Sequence, residues 1–175
     1  MPPKAKEEIY DIFDKKGKKI GTATWTQVHK KGLLHQVADI LIFKDKTKKE
    51  ILLQKRSLKM AHDPGLWCAA AGGHIKSGQT PRQAIKEEIK EELFSNNKIP
   101  NLKITKIVTY QTHDLPENYE ISHIFEAICP GPFFPGKEVI KTKWVKWDWF
   151  LKDLKKNPQK YTQFFHKMIK EYLKK

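Results

Sequence analysis

The chain has 175 residues, 39% hydrophobic and 11% aromatic, with a formal net charge of +14. This suits a single domain spanning residues 1–175 with a sizeable core, and excludes a disordered chain. Only two cysteines occur, and no segment has the apolar length of a signal peptide or a membrane span. No disulfide framework is implied, so the expected setting is cytoplasmic, with no membrane partner.

Residues 1–7 read as a loose tail. Glu8–Phe13 and Lys18–Thr24 predict two strands about the turn Asp14–Gly17, an N-terminal β-hairpin. Trp25–Lys31 reads as a connector of about one helical turn, so 8–31 form a hairpin and connector ahead of a core at 33–173. The apolar run Leu33–Phe43 predicts a buried strand and Ile51–Gln54 a second, joined by the polar turn Lys44–Lys49. Ser57–Leu66, punctuated by Pro64 and Gly65, is a loop. The short apolar stretch Trp67–Ala71 then enters the pair Gly72 and Gly73.

A helix follows. Thr80, Pro81 and Gln83 form a start signal: a capping residue, proline at the first helical position, and glutamine three residues after the cap. Ile85, Ile89 and Leu93 recur every fourth residue as one apolar stripe. Asn96 and Asn97 end the pattern. Ile104–Thr112 and Tyr119–Ile128 predict strands joined by Asp114–Asn118. Pro130–Gly136 is a rigid loop whose Phe133 and Phe134 could stack on a base but are rather expected under the C-terminal helix. Lys143–Trp147 reads as a strand and Asp148 as the cap of a helix ending near Lys155. After Asn157 and Pro158 comes a last helix, Gln159–Leu173, with Phe164, Phe165, Met168, Ile169 and Tyr172 on its apolar face. Strands with helices between and after them fit an α/β mixed sheet.

Glu88, Glu91 and Glu92 stand at spacings of three and four beside the apolar stripe, so they are neighbours on the helix surface. A solvated acidic face with lysines 86 and 90 interleaved is one explanation. The other is a site for a hard, oxygen-loving cation such as Mg²⁺. The glycine pair just before the helix lets backbone approach another group closely.

Gly72–Phe94 resembles the Nudix box, written G-x5-E-x7-R-E-U-x-E-E-x-G-U with U apolar. The match, laid from Gly73, runs through Glu88, Ile89, Glu91 and Glu92. Gln79 stands where the pattern has its first glutamate, Glu87 where it has arginine, and Phe94 where it has the late glycine. The resemblance, over Leu33–Leu173, implies the Nudix fold, a mixed β-sheet sandwiched between α-helices. It implies hydrolysis of a diphosphate linkage in a small molecule, typically a nucleoside diphosphate joined to another group. Mg²⁺ or Mn²⁺ would be held by Glu88, Glu91 and Glu92, with Glu92 or Glu120 as general base; Glu117 and Glu126 are the other acids considered.

Arg56 resembles a phosphate-binding arginine of relatives, and Gly72, Gly73 and His74 are expected on the substrate side. His29, His35 and His74 resemble the branch that includes isopentenyl-diphosphate isomerases, where histidines bind a metal. In that branch a catalytic cysteine occupies the position held here by Gly72. Isomerase chemistry is therefore an alternative without its thiol, and a nucleotide-binding module without turnover is another. Nucleic acid as a partner has only the charge in its favour, because the lysines are spread along the chain. The oligomeric state stays open, a homodimer included. Gln79 and Glu87 are expected to touch, with Gln79→Glu the costlier single change.

Overall fold

The computed structural model describes residues 7–95, 97–115 and 118–175, with no statement on the side chains of 114–118. The tail at 1–6, Asn96 and Glu117 thus lie outside the described residues.

The chain begins with the hairpin β1 (Ile9–Phe13) and β2 (Lys19–Thr24), then α1 (Trp25–Lys31). It continues through β3 (His35–Phe43), β4 (Glu50–Arg56), β5 (Trp67–Cys68) and β6 (Ala71–His74) to α2 (Pro81–Leu93). Next come β7 (Thr105–Leu115), β8 (Asn118–Ile128) and β9 (Val139–Lys146), then α3 (Trp147–Lys156), a 3₁₀ turn at Pro158–Lys160, and α4 (Gln163–Tyr172). Among the described residues β1 and β2 form one sheet and the other seven strands a second, along β5-β4-β3-β8-β7, with β6 on β3 and β9 on β4. β3 and β8 run parallel, from His35 opposite Glu120 to Phe43 opposite Ile128. The other pairings are antiparallel, so the sheet is mixed.

β3 is buried along nearly its whole length because both faces of the sheet are covered. Ala38, Ile40 and Ile42 on one face pack with Ile85, Ile89 and Leu93 of α2. Leu41, Phe43, Ile51 and Leu53 on the other pack with Phe150 and Leu154 of α3 and Phe165, Met168 and Ile169 of α4. Each fully buried side chain of this size contributes about 1.5–3 kcal/mol of transfer free energy.

The structure corrects several boundaries. The connector at 25–31 is a helix of seven residues, closed by a full capping box between Thr24 and Gln27 and by Gly32 at φ 57°. Thr24 and Gln27 repeat the signature of Thr80 and Gln83. Trp147 opens α3 instead of ending a strand, and Asp148 lies in that helix's first turn while Lys146 takes the cap position. An acid in the first turn suits the positive end of the helix. The last helix starts at Gln163, because Tyr161 pairs with Trp67 and the Thr162 amide donates to the Trp67 carbonyl.

Phe133 lies on the α2 side, against Phe94 and Trp144 at 5.6 and 5.9 Å between ring centroids, not beneath α4, and Phe134 is 44% exposed. The reason is hydrogen bonding. The amides of Phe134 and Gly136 donate to the Leu93 and Glu92 carbonyls, so the loop ties off the end of α2. A Cβ on Gly136 would collide with the Glu91 carbonyl. The job of a C-terminal glycine in α2 passes to this loop, and Phe94 fills the space with its ring.

Candidate functional site

The glycine pair sits on β6 with a carboxylate against each of its two faces. A Cβ on Gly73 would run into the Glu88 carboxylate, and one on Gly72 into Asp39 Oδ1. Successive residues of a strand point to opposite faces, which accounts for the two directions. Glycine is needed at both positions for these acids to lie against the backbone.

On the α2 side the three helix glutamates differ. Glu91 is exposed, Glu88 is half-buried and Glu92 is buried. Glu92 is held at both oxygens: the Gly72 amide donates to Oε2 at 2.9 Å and Gln54 Nε2 to Oε1 at 3.1 Å. Burial pushes its pKa up to about 7 against those two hydrogen bonds. Burial, then the charges of Glu92, Glu91 and Glu138, push Glu88 up to about 8. Among the described residues no ion pair joins Glu88, Glu91 or Glu92, and the charges of Lys76 and Arg56 offset their mutual repulsion only in part. Clustered carboxylates of this kind suit a cation, and their hard oxygens fit Mg²⁺ or Mn²⁺.

Across β6 lies a second group. His29 of α1, His35 of β3 and His74 of β6 each offer a ring nitrogen within 4.8 Å of the other two. His29 Nδ1 is 2.9 Å from the Trp25 carbonyl and His35 Nδ1 2.9 Å from the Leu33 carbonyl. Those bonds place the hydrogen on Nδ1 and leave Nε2 as a lone-pair donor. Nε2 of His35 and of His74 is buried without a hydrogen-bond partner among the described residues. Burial lowers the pKa of His35 to about 4 and of His74 to about 3, so both are neutral and able to ligate. Glu120 stands beside this trio, with Oε1 3.9 Å from His35 Nε2. Glu126 is engaged elsewhere, by Lys48 at 2.7 Å and by the Tyr172 hydroxyl.

Glu88, Glu91, Glu92, Glu120, Arg56, Gly72, Gly73 and His74 all line one cleft of about 400 Å³. Arg56 Nε and Nη2 donate to the His62 carbonyl at 3.3 and 3.2 Å, so part of its fork holds its own loop.

The NUDIX domain family model matches residues 33–167. The chain belongs to the Nudix family. Among its relatives, Isopentenyl-diphosphate Delta-isomerase 2 of Photorhabdus laumondii is 30% identical over 167 residues, covering 93% of this chain and 91% of that one. An uncharacterized Nudix hydrolase of Clostridium acetobutylicum is 33% identical over 122 residues, covering 68% of this chain and 58% of that one. A Deinococcus radiodurans protein of known structure superposes with a TM-score of 0.72 at 16% identity, covering 86% and 90% of the two chains. The NUDIX domain of Shewanella oneidensis NrtR, complexed with ADP ribose, does so at 0.54 and 18% identity, covering 71% and 84%. At these identities the two structures speak for the Nudix fold.

Three residues of this Nudix cleft escaped the sequence. Glu138, just before β9, acts on Glu88 and Glu92 through its charge. Lys76 bonds Glu87 at 2.9 Å and Glu8 at 3.0 Å, joining the box to the hairpin. Asp39 is a buried acid inside an otherwise apolar run, and that contrast was a signal available in the sequence.

Proposed function

We propose that this Nudix chain hydrolyses a diphosphate linkage in a small organic molecule, with Mg²⁺ or Mn²⁺ held by Glu88, Glu91 and Glu92. The observation behind this reading is the cluster of glutamates packed around Gly72 and Gly73, two of them held above the usual carboxylate range by burial and by neighbouring carboxylates. When bound, the cation neutralises phosphate oxygens and makes a water acidic enough to attack phosphorus at neutral pH. Gln54 and the Gly72 amide fix the orientation of Glu92. Arg56, on the wall of the same cleft, would donate to a phosphate of the substrate with the N–H groups left beyond those given to His62. Glu92 or Glu120 accepts the proton from water.

Isomerisation of isopentenyl diphosphate is the second reading. The histidine trio and relatives named as isomerases favour it. Gly72 speaks against it: the position has no side chain, and the space where one would start is filled by Asp39. We expect no isomerisation above background. A nucleotide-binding module without turnover is the third reading.

The test is a panel of nucleoside-diphosphate sugars, dinucleoside polyphosphates and isopentenyl diphosphate, assayed with Mg²⁺, with Mn²⁺ and with chelator. Cation-dependent cleavage of a diphosphate linkage is the expected result. Isomerisation with no cleavage would reverse the order of the first two readings, and binding without turnover would favour the module.

A further inference from the structure

Asp39 has no role in the hydrolytic reading. It is only 9% exposed, and it lines the cleft. Among the described residues no hydrogen bond or ion pair reaches its carboxyl group. Its strand partner is Gly72, so the carboxyl lies flat against β6 where any side chain at 72 would stand. A buried carboxyl without a partner costs stability, whether charged or neutral. The charge of Arg56 offsets that cost only in part, and the carboxyl opens on the cleft, where a ligand can meet it.

The surroundings indicate what that ligand presents. Alternation along the strands puts Tyr110 and Thr112 of β7 and Ser122 of β8 on the same cleft as Asp39. Lys167 of α4 reaches the cleft too, its Nζ donating to Thr112 Oγ1 at 2.6 Å. Hydroxyl groups, an ammonium and a carboxyl thus stand on this wall beside the apolar Val37 and Phe164. A hydrocarbon chain laid over Asp39 would strip water from its carboxyl and return no hydrogen bond.

We propose that Asp39 is a specificity-determining residue that hydrogen-bonds a hydroxyl or amino group on the organic half of the substrate. The chain then selects hydroxylated diphosphates, of the sugar or nucleoside type, over those carrying a bare hydrocarbon. This rests on the diphosphate reading above. Burial, then the charge of Glu120, push the Asp39 pKa up to about 8, and either protonation state bonds a hydroxyl.

The test uses the full chain as wild type, Asp39→Asn and Asp39→Leu. Binding of ADP-ribose, UDP-glucose and geranyl diphosphate is measured by calorimetry with Ca²⁺ in place of Mg²⁺, and turnover separately with Mg²⁺. Wild type is expected to bind at least one hydroxylated ligand more tightly than geranyl diphosphate. Asp39→Leu should weaken that ligand by about 10–100-fold and leave geranyl diphosphate equal or tighter. Asp39→Asn should fall between, and it keeps the experiment decisive if the leucine variant fails to fold. An unchanged ratio between the ligand classes in both variants would overturn the assignment, as would wild-type preference for geranyl diphosphate or binding of none of the three. A shifted ratio without hydrolysis of any ligand would uphold Asp39 and sink the hydrolase reading instead.

Discussion

Gln79 and Glu87 are joined side chain to side chain, Nε2 of the glutamine donating to Oε2 of the glutamate. The pair braces the loop after β6 against α2, and Lys76 completes it. The Lys76 amide donates to Gln79 Oε1 at 3.1 Å, and its ammonium lies 2.9 Å from Glu87. Positive charge that the box pattern would carry on an arginine at 87 is thus supplied from the loop.

Lys76 changes the expected cost of substitutions here. Gln79→Glu places two carboxylates together but leaves a cation beside both, so it should destabilise by only about 0.5 kcal/mol. Glu87→Arg instead faces Lys76 and should cost about 1 kcal/mol, reversing the order expected from sequence. The double variant should recover about 0.5–1 kcal/mol over the sum. Denaturant midpoints for the four proteins give this coupling, and simple additivity would mean that the pair is energetically independent.

Glu88 is predicted to be a stability cost in the absence of metal. Its folded pKa, about 8, lies above its ordinary value of 4.5, as does that of Glu92, about 7. Each group's favourable contribution is fully present below pH 4.5 and is lost as pH rises through the folded value. In chelator at pH 8, Glu88→Gln should therefore stabilise the chain by about 1–2 kcal/mol. Saturating Mg²⁺ should raise the wild-type melting temperature and narrow that advantage. A glutamine variant less stable than wild type in chelator would contradict the pKa order.

Acid should act in the opposite sense through a histidine away from the cleft. Burial lowers the pKa of His123 to about 4 from the ordinary 6.5, and its Nδ1 lies 3.0 Å from Thr109 Oγ1. Between pH 6.5 and 4 the unfolded chain binds the extra proton, so stability falls as pH drops through that window. His123→Gln should remove this part, making the fall from pH 6.5 to 4 shallower by about 1 kcal/mol or more. Parallel profiles for the two proteins would show that His123 titrates normally.

Ile89 tests the packing that aims the glutamates. It is fully buried on the stripe of α2 among Ala38, Ile40 and Leu52. Ile89→Ala should cost about 2–5 kcal/mol by leaving a cavity under the helix. A loss below about 1 kcal/mol, read from denaturant midpoints, would mean that the site collapses around the smaller side chain.

What was legible in the sequence was local. The cap Thr80, the stripe Ile85–Ile89–Leu93 and the glutamates at 88, 91 and 92 lie within one helix, so spacing alone placed them together. The hairpin and the run Leu33–Phe43 were legible by turn chemistry and apolar continuity. The histidines came together only through a resemblance, because α1, β3 and β6 bring them in from three elements. Glu138 was hidden for the same reason, since only the start of β9 brings it near α2; Asp39 stood out as an acid in an apolar run, but its place beside Gly72 comes from strand pairing. The start of the last helix was misplaced because Tyr161 pairs with Trp67, a tertiary contact that no helical pattern records.

The most direct test of the account is the rate of diphosphate cleavage by wild type, Glu91→Gln and Glu92→Gln across a Mg²⁺ titration, with far-ultraviolet circular dichroism as the fold control. The account predicts no cleavage by wild type in chelator, recovery with Mg²⁺, and turnover reduced by about 100-fold or more in both folded variants, since loss of a ligand weakens charge neutralisation and water activation together. Wild-type cleavage that persists unchanged in chelator, or full turnover by folded Glu92→Gln, would contradict it.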